Sequence, residues 1–450
     1  MRTVVLVHGY SVRSLDTYGQ LPHLLTSAGY TTDQIYLSAF DSLNDDITCE
    51  DLANALEKRV AALEYQGVDI SETTFITHST GSIITRRWIL NRFQAKKVIP
   101  SHFISLAGAN HGSTLAQLGQ TQLAYIYRHL QGTSVGLEVL QDLDYGSQFL
   151  LKLNSEWLDA FISEDFPRVY AFSLIGDDHS APDCQIAWQT HENGSDNIVR
   201  ISGGNLNYSI LSIDQNDPVP TLRTKRFKSP IPHLILPEVA HTGNGSGILG
   251  KANGILDGGQ IVTDLVFPAI QQALSIQDRT QYNDLAIEWA NRNTEWKKSH
   301  SEQCNSTILF SLQHPGARRI EDSLILLKDG NVLGDENTAI QNVHQSIMPR
   351  QPIKNNNTPS SVSFYVNYDN FVASFPHIVQ IQISSGSNEI SYIPINYKVS
   401  HNDEAAVRPN EFTYVFVTLN RQTFNTYEVI PYSDNPNMGK QWPPLPQARS

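Results

Sequence analysis

Basic residues are scarce in this chain. Thirty-two Lys and Arg stand against 45 Asp and Glu among 450 residues, a formal net charge of −13. A nucleic-acid partner is therefore not expected, because displacing phosphate counterions needs clustered Lys and Arg. Constitutive binding to anionic headgroups is disfavoured too, although a local apolar patch can still make transient contact with a membrane surface. Cysteine is scarcer still. Cys49, Cys184 and Cys304 are scattered without CxxC spacing, which gives no disulfide framework and no zinc site, though one disulfide remains open. No window approaches the ~20 apolar residues of a membrane span. The opening "MRTVVLVHGY" has a single Arg and a short apolar run, well below the ~7–15 residues of a signal-peptide core. With residue 1 as the native start, the expected location is cytoplasmic, or outside by a route without a cleaved signal, and not transmembrane.

What is present is ordinary globular composition, 40% hydrophobic and 17% charged, at a length that predicts two or three domains. "TVVLVHG" reads as a buried parallel strand, and "DQIYLSAF", "TTFITHS" and "SHFISLAG" follow in the same style. Between them lie helical patterns, among them "TCEDLANALEKRVAALEYQG". Its Leu52, Leu56, Val60 and Leu63 share one face, Thr48 with Asp51 makes a capping box, and Gly67 ends it. Such alternation implies a parallel sheet covered on both faces. Over residues 113–165 it gives way to a nearly continuous helical pattern, expected to be an inserted cap. "RVYAFSLIG" and "HLILPE" resume the sheet, and a helix closes the unit near residue 276. Residues 277–304 read as a charged linker helix. From residue 305 to 450, short alternating strands such as "STILFSLQ", "SVSFYVNY" and "FTYVFVTL" predict an antiparallel β-sandwich.

"FITHSTGSIIT" carries the chemistry. Ser79 stands where a buried strand turns straight into a helix, an arrangement that exposes a serine hydroxyl above the sheet edge. The helix N-terminus there favours developing negative charge. The usual pattern is Gly-x-Ser-x-Gly; this chain keeps Gly81 but has Thr77 in the first position. A hydroxyl is a weak nucleophile near neutral pH, so it also needs a base, an orienting acid and oxyanion donors. "VLVHGY" ends the first strand with a glycine-containing loop, and the backbone N–H groups of Tyr10 and Thr80 are the candidate donors.

Together, "VLVHGY", "ITHSTG", "SLAGANHGSTLA", "LQDLDYGSQFLLKLN" and "GSDNIVRISGGNLN" resemble segments of the lipase and esterase branch of the α/β-hydrolases. The resemblance spans about residues 1–275 and leaves the C-terminal sandwich outside it. It implies an α/β-hydrolase fold and a triad in the order Ser, acid, His. Asp196 in "GSDNIV" matches the family's acid loop, with Asn197 where Gly is usual; Asp177 or Asp178 after a strand, and Asp217 in "QNDPV", fit as alternatives. His241, just past the last strand, is the implied base. His233, His179 and His191 read as structural or solvated, His111 and His78 as buttresses of the site, and His8 as a neighbour of the oxyanion loop. A structural calcium occurs in some relatives, but the carboxylates of "DDHSAPD" and "DQND" read as solvated loop residues, so neither metal nor cofactor is expected.

The expectation is a serine hydrolase of lipid or other hydrophobic esters, phospholipid among them, acting through an acyl-enzyme on Ser79. A thioesterase, acyltransferase or amidase would share the triad, because specificity lies in the cap. A non-catalytic binding protein on the same scaffold is the alternative of another class. The partner of the sandwich is not specified by its residues.

Overall fold

In the computed structural model of the protein, the structure describes residues 2–9, 18–35, 44–117, 136–180, 192–215, 221–243, 246–251, 266–315, 318–320, 323–329, 346–385, 390–400 and 406–423. The β-branched run Thr3–Val7 forms strand β1 and pairs in parallel with β2 (Thr31–Ile35) and β3 (Thr74–His78). Strands β4 (His102–Leu106), β5 (Tyr170–Gly176) and β8 (His233–Leu236) extend one fully parallel sheet in the order β2-β1-β3-β4-β5-β8.

Strand residues alternate between two apolar layers, as the period of a pleated strand requires. Val5, Phe75 and Phe103 face helices α2 (Cys49–Tyr65) and α3 (Thr80–Gln94). Val4, Leu6, Ile76 and Ile104 face α1 (Leu21–Ser27) and the two helices that end the unit. Helix α2 starts at the Thr48–Asp51 capping box, with both reciprocal backbone bonds present. This is the layout of an α/β-hydrolase.

The helical stretch over residues 113–165 divides in two. Helix α4 (Leu137–Leu143) belongs to the insert, of which residues 118–135 lie outside the described residues. Helix α5 (Gln148–Ile162) instead packs on α3, buries Leu150, Leu153 and Trp157 in the sheet's own core, and carries the chain from β4 to β5. It is a crossover helix. Near the end of the unit, α6 (Val266–Ser275) is followed by α7 (Arg279–Ser299), which covers the region expected to be a linker. Tyr282, Leu285 and Trp289 of α7 are buried against Phe172 and Leu234, so α7 is a sheet-covering helix of the hydrolase unit.

The second sheet starts earlier in the chain than residue 305. Strands β6 (Tyr208–Asp214) and β7 (Thr221–Arg226) leave the hydrolase unit and join β9 (Asn305–His314), β12 (Ile353–Lys354), β13 (Ser361–Asn367) and β17 (Phe412–Thr418). The order is β12-β13-β9-β17-β6-β7, with the short β10 (Arg318–Arg319) beside β9. Because β17 runs parallel to both β6 and β9, this sheet is mixed, not purely antiparallel. One face packs on the hydrolase core through Tyr208, Ile210, Leu309, Phe412 and Tyr414. The other, through Ile308, Phe310, Phe364 and Val415, packs on the antiparallel sheet of β11 (Ser323–Asp329), β14 (Ile378–Ser385) and β16 (Ile395–Ser400). A small ribbon of β15 (Ile390–Tyr392) and β18 (Arg421–Thr423) pairs beside it. The C-terminal all-β layers therefore sandwich a core of their own and share their larger sheet with the hydrolase unit.

Cys49 and Cys304 are buried free thiols, and Cys184 lies outside the described residues. Among the described residues no helix is long and apolar enough to cross a membrane.

A chain cut after residue 304 keeps β6 but loses β17, the strand paired along β6's other edge, and leaves Tyr208 and Ile210 short of their cover. An exposed apolar edge of this kind aggregates. Fragment 1–304 is expected to be insoluble, or to show weakened near-UV circular dichroism; a soluble, monomeric and fully packed fragment would contradict this layering.

Candidate active site

Ser79 closes β3 and caps α3 with φ 55° and ψ −127°, outside the regions that non-glycine residues favour. Strain of this kind costs on the order of 1–3 kcal/mol and persists only where the surroundings over-determine it. They do so here: the Ser79 amide donates to the Leu106 carbonyl at 3.1 Å, and the Ser79 carbonyl accepts from the Ser82 amide at 3.0 Å. Gly81 is required by close approach, since a Cβ there would lie 2.8 Å from the His8 carbonyl oxygen and 2.9 Å from that of Val7.

Thr77, where Gly is usual, fits because its neighbours are small and polar. Its hydroxyl lies 2.8 Å from that of Ser82 and donates towards the Ile104 carbonyl at 3.3 Å. Ser82 accepts from Ser105 at 3.0 Å, and Ser105 accepts from the Asn110 amide at 3.1 Å. A buried hydroxyl chain thus fills the space under the elbow, and its members satisfy one another.

The Ser79 hydroxyl lies 2.9 Å from His241 Nε2, and His241 Nδ1 lies 2.9 Å from Asp196 Oδ2. Asp196 is fully buried. Its other oxygen accepts from the amides of Ile198 at 3.1 Å and Val199 at 2.8 Å, and its carbonyl accepts from the His241 amide at 2.7 Å. Asn197, the residue in place of the family's Gly, has φ 94°, a left-handed conformation that explains the usual preference for glycine there. The structure therefore brings Ser79, His241 and Asp196 into one hydrogen-bonded series.

Thr80 is the first residue of α3, whose opening amides have no acceptors within the helix. Tyr10, Asp217 and His191 lie outside the described residues. Asp177 has other partners. Its carboxylate accepts from the Glu238 amide at 2.6 Å and from the Trp296 indole at 2.7 Å, tying α7 to the turn after β8. Burial raises its pKa in spite of these two donors. Asp178 accepts from Ser180 within its own turn, and half-buried His179 follows it. Among the described residues no group of three His, Cys, Asp or Glu is arranged to hold a metal.

The remaining histidines hold fixed positions. Burial first, then the neighbouring His241 and His8, push His78 well below the ordinary imidazole pKa. It is therefore neutral, and its Nε2–H donates to the His241 carbonyl at 3.2 Å, fixing the loop that carries His241. His111, also pushed well down by burial, bridges the Asn205 carbonyl and the Tyr414 hydroxyl, each at 2.8 Å, and stacks on Phe412. His233 is lowered by burial to about 3 and bonds Ser173 at 2.9 Å. His8 is buried edge-on to Tyr18.

Two buried arginines around the site were not singled out by the motifs. Arg86 on α3 donates to the Asn110 carbonyl at 3.0 Å and to Asn154 at 2.9 Å, beneath the Trp157 ring. Arg200 forms a fully buried pair with Glu192 at the base of the Asp196 loop. A charged residue inside an apolar helical or loop pattern was the one available signal for both.

Residues 2–159 match the family model described as lipase (class 2). Over the whole length, the chain is similar to the phospholipase PlaB from Legionella pneumophila, at 26% identity and a TM-score of 0.80, with 96% of each chain covered. The same protein in complex with thio-NAD aligns at 26% identity and a TM-score of 0.76, again over 96% of each chain. The mature Bacillus licheniformis lipase BlEst2 aligns at 17% identity and a TM-score of 0.41, over 61% of this chain and 92% of that one. No curated protein matches the chain. The fold, the lipase match over residues 2–159 and the full-length likeness to PlaB together support a lipase- and esterase-like α/β-hydrolase, an ester-hydrolysing enzyme.

The two aspartates are separable. Asp196→Asn is expected to lower kcat by roughly 10³–10⁴-fold, by losing the base's tautomer and orientation. Asp177→Asn is expected to leave kcat nearly unchanged and to cost about 1–3 kcal/mol of stability, because either the buried Trp296 indole or the Glu238 amide loses its acceptor. Steady-state kinetics and thermal unfolding check both, and the reverse pattern would move the acid to Asp177.

Proposed function

We propose that this chain is a serine hydrolase that cleaves the carboxylic esters of lipids, with phospholipid as the substrate class, through an acyl-enzyme on Ser79. One observation carries the mechanism: the unbroken series from the buried Asp196 carboxylate through His241 to a serine on a strained elbow. His241 Nε2 removes the Ser79 proton as Oγ attacks the ester carbonyl, and Asp196 stabilises the imidazolium that results. The amides of Thr80 and Tyr10 are assigned to the oxyanion of the tetrahedral intermediate. The intermediate collapses, the alcohol leaves with the proton from His241, and acyl-Ser79 remains. Water, activated by the same imidazole, then attacks the acyl carbonyl and restores the free serine.

The choice of phospholipid over acylglycerol is supported by the extent of the PlaB likeness. It runs through the β-layers as well as the hydrolase unit, whereas the lipase family match ends at residue 159. Transient contact with a lipid surface belongs to the same reading, because such substrates are presented in membranes or micelles.

A fluorophosphonate probe is expected to label the wild type and not Ser79→Ala, which should also lose at least about 10⁴-fold in kcat. Fatty-acid release from phosphatidylcholine or phosphatidylglycerol vesicles should exceed release from triacylglycerol emulsions. A folded wild-type protein that takes no label would refute the serine mechanism, and activity confined to acetyl esters would refute the lipid substrate.

A further inference from the structure

Asp196 sits at the tip of a tight loop, and that loop is held from outside the hydrolase sheet. Its two legs meet at the Ser195–Arg200 bridge and at the Ile201 amide, which donates to the Gly194 carbonyl at 2.9 Å. Across their base, Glu192 takes a bidentate grip on Arg200, at 2.8 Å to Nε and 3.0 Å to Nη2. The guanidinium lies between two aromatic rings, 4.5 Å from that of Tyr145 and 4.1 Å from that of Tyr365. Tyr145 belongs to the hydrolase unit, just after α4, whereas Tyr365 is in strand β13 of the second sheet.

Further contacts on this side of the loop come from the C-terminal part of the chain. The Tyr365 hydroxyl lies 2.8 Å from the Asn193 carbonyl and 3.0 Å from that of Gly194, and shares its single proton between them. Asn305 donates to the Asn193 carbonyl at 3.0 Å, and Asn193 donates to the Glu302 carbonyl at 3.0 Å. Ser202 and Thr307 join hydroxyls at 2.9 Å. Gly194, at φ 78°, is pressed so closely that a Cβ would lie 2.5 Å from the Gln303 carbonyl oxygen and 2.6 Å from the Tyr365 hydroxyl. A charge this deep has to be paired, and here the Glu192 carboxylate and the two rings compensate the guanidinium.

We infer that Arg200 and Tyr365 are positioning residues for Asp196, and that the C-terminal β-layer is for this reason a structural part of the active site. Neither residue touches the reacting atoms. The inference rests on the reading of Asp196 as the triad acid. It goes beyond that reading by giving the second sheet a role in setting the acid's distance from His241.

Two conservative variants of the full chain test it. Tyr365→Phe keeps the ring over the guanidinium and removes the hydroxyl from the 193 and 194 carbonyls. Arg200→Lys keeps the charge and removes both the bidentate grip and the planar stack. Each is expected to lower kcat on a soluble p-nitrophenyl ester by about 10- to 100-fold with little change in KM, as displaced catalytic groups do. The downfield proton resonance of the imidazole N–H shared with Asp196 should shift or broaden in both. Val366→Ala supplies the comparison: on the same strand but in the other core, it should lower Tm while keeping kcat and that resonance. Should Arg200→Lys fail to fold, Tyr365→Phe decides alone. The inference is overturned if Tyr365→Phe retains wild-type kcat and resonance, or if Val366→Ala loses as much kcat at an equal loss of Tm. Failure of the underlying reading looks different, because wild-type protein would then not label on Ser79 or Asp196→Asn would remain active.

Discussion

The hydrogen bond from His241 Nδ1 to Asp196 is the contact on which the remainder of the site depends. His241 and Asp196 lie on separate loops beyond the sheet, and Ser79 on a third segment, so backbone regularity within the sheet does not set their separations. Each is fixed instead by its own set of neighbours. Ser79 is fixed by the strand-to-helix turn, and His241 by the His78 imidazole under its carbonyl. Asp196 is fixed by two amides of its own loop and by the Arg200–Glu192 pair behind it. An error of an ångström in any one would be costly to the chemistry, which accounts for the density of buried polar contacts around residues that never meet substrate.

A second polar series runs beneath the elbow and links the same units. Arg86 on α3 reaches Asn110 and Asn154; Asn154 donates to the Tyr414 hydroxyl at 2.8 Å; and that hydroxyl meets His111 Nδ1 at 2.8 Å. Since His111 Nε2 faces the Asn205 carbonyl, that nitrogen carries the proton, and Tyr414 donates to Nδ1. Arg86 has no carboxylate beside it among the described residues. Burial lowers its pKa, and the nearby Tyr208 and Tyr414 hydroxyls act against that. Tyr208 and Tyr414 both belong to the second sheet, so the two units meet in shared polar groups as well as shared apolar ones.

Much of this was legible in local patterns. The buried runs at Thr3–Val7, Thr74–His78 and His102–Leu106 read directly as parallel strands, because strands covered on both faces are apolar without alternation. Ser79 was legible from the strand-to-helix turn in spite of Thr77, whose accommodation by Ser82 and Ser105 is a tertiary fact. The partner of His241 was harder to read. Asp177, Asp178, Asp196 and Asp217 all fit a loop in the right chain order, and what distinguishes Asp177 is an indole from α7, more than a hundred residues downstream. Strand periodicity likewise says nothing about which sheet a strand joins, and residues 208–226, which form β6 and β7, fell within the expected hydrolase bounds of 1–276. Helix α5 resembled cap helices because an amphipathic crossover helix and a lid helix share one pattern. Arg200 drew no notice, since its meaning comes from Tyr145 and Tyr365, which are near it only in space.

The central claim is covalent chemistry on one serine of a lipid-ester hydrolase. Rapid-quench mass spectrometry tests it most directly: the wild-type protein is mixed with a short-chain phosphatidylcholine, quenched over a series of times, digested and read at the peptide containing Phe75 to Thr85. The account predicts a transient mass increase equal to the acyl group, located on Ser79 and rising before free fatty acid accumulates. Fatty acid released with no acyl mass on Ser79 at any quench time, or with the acyl group on another residue, would contradict it.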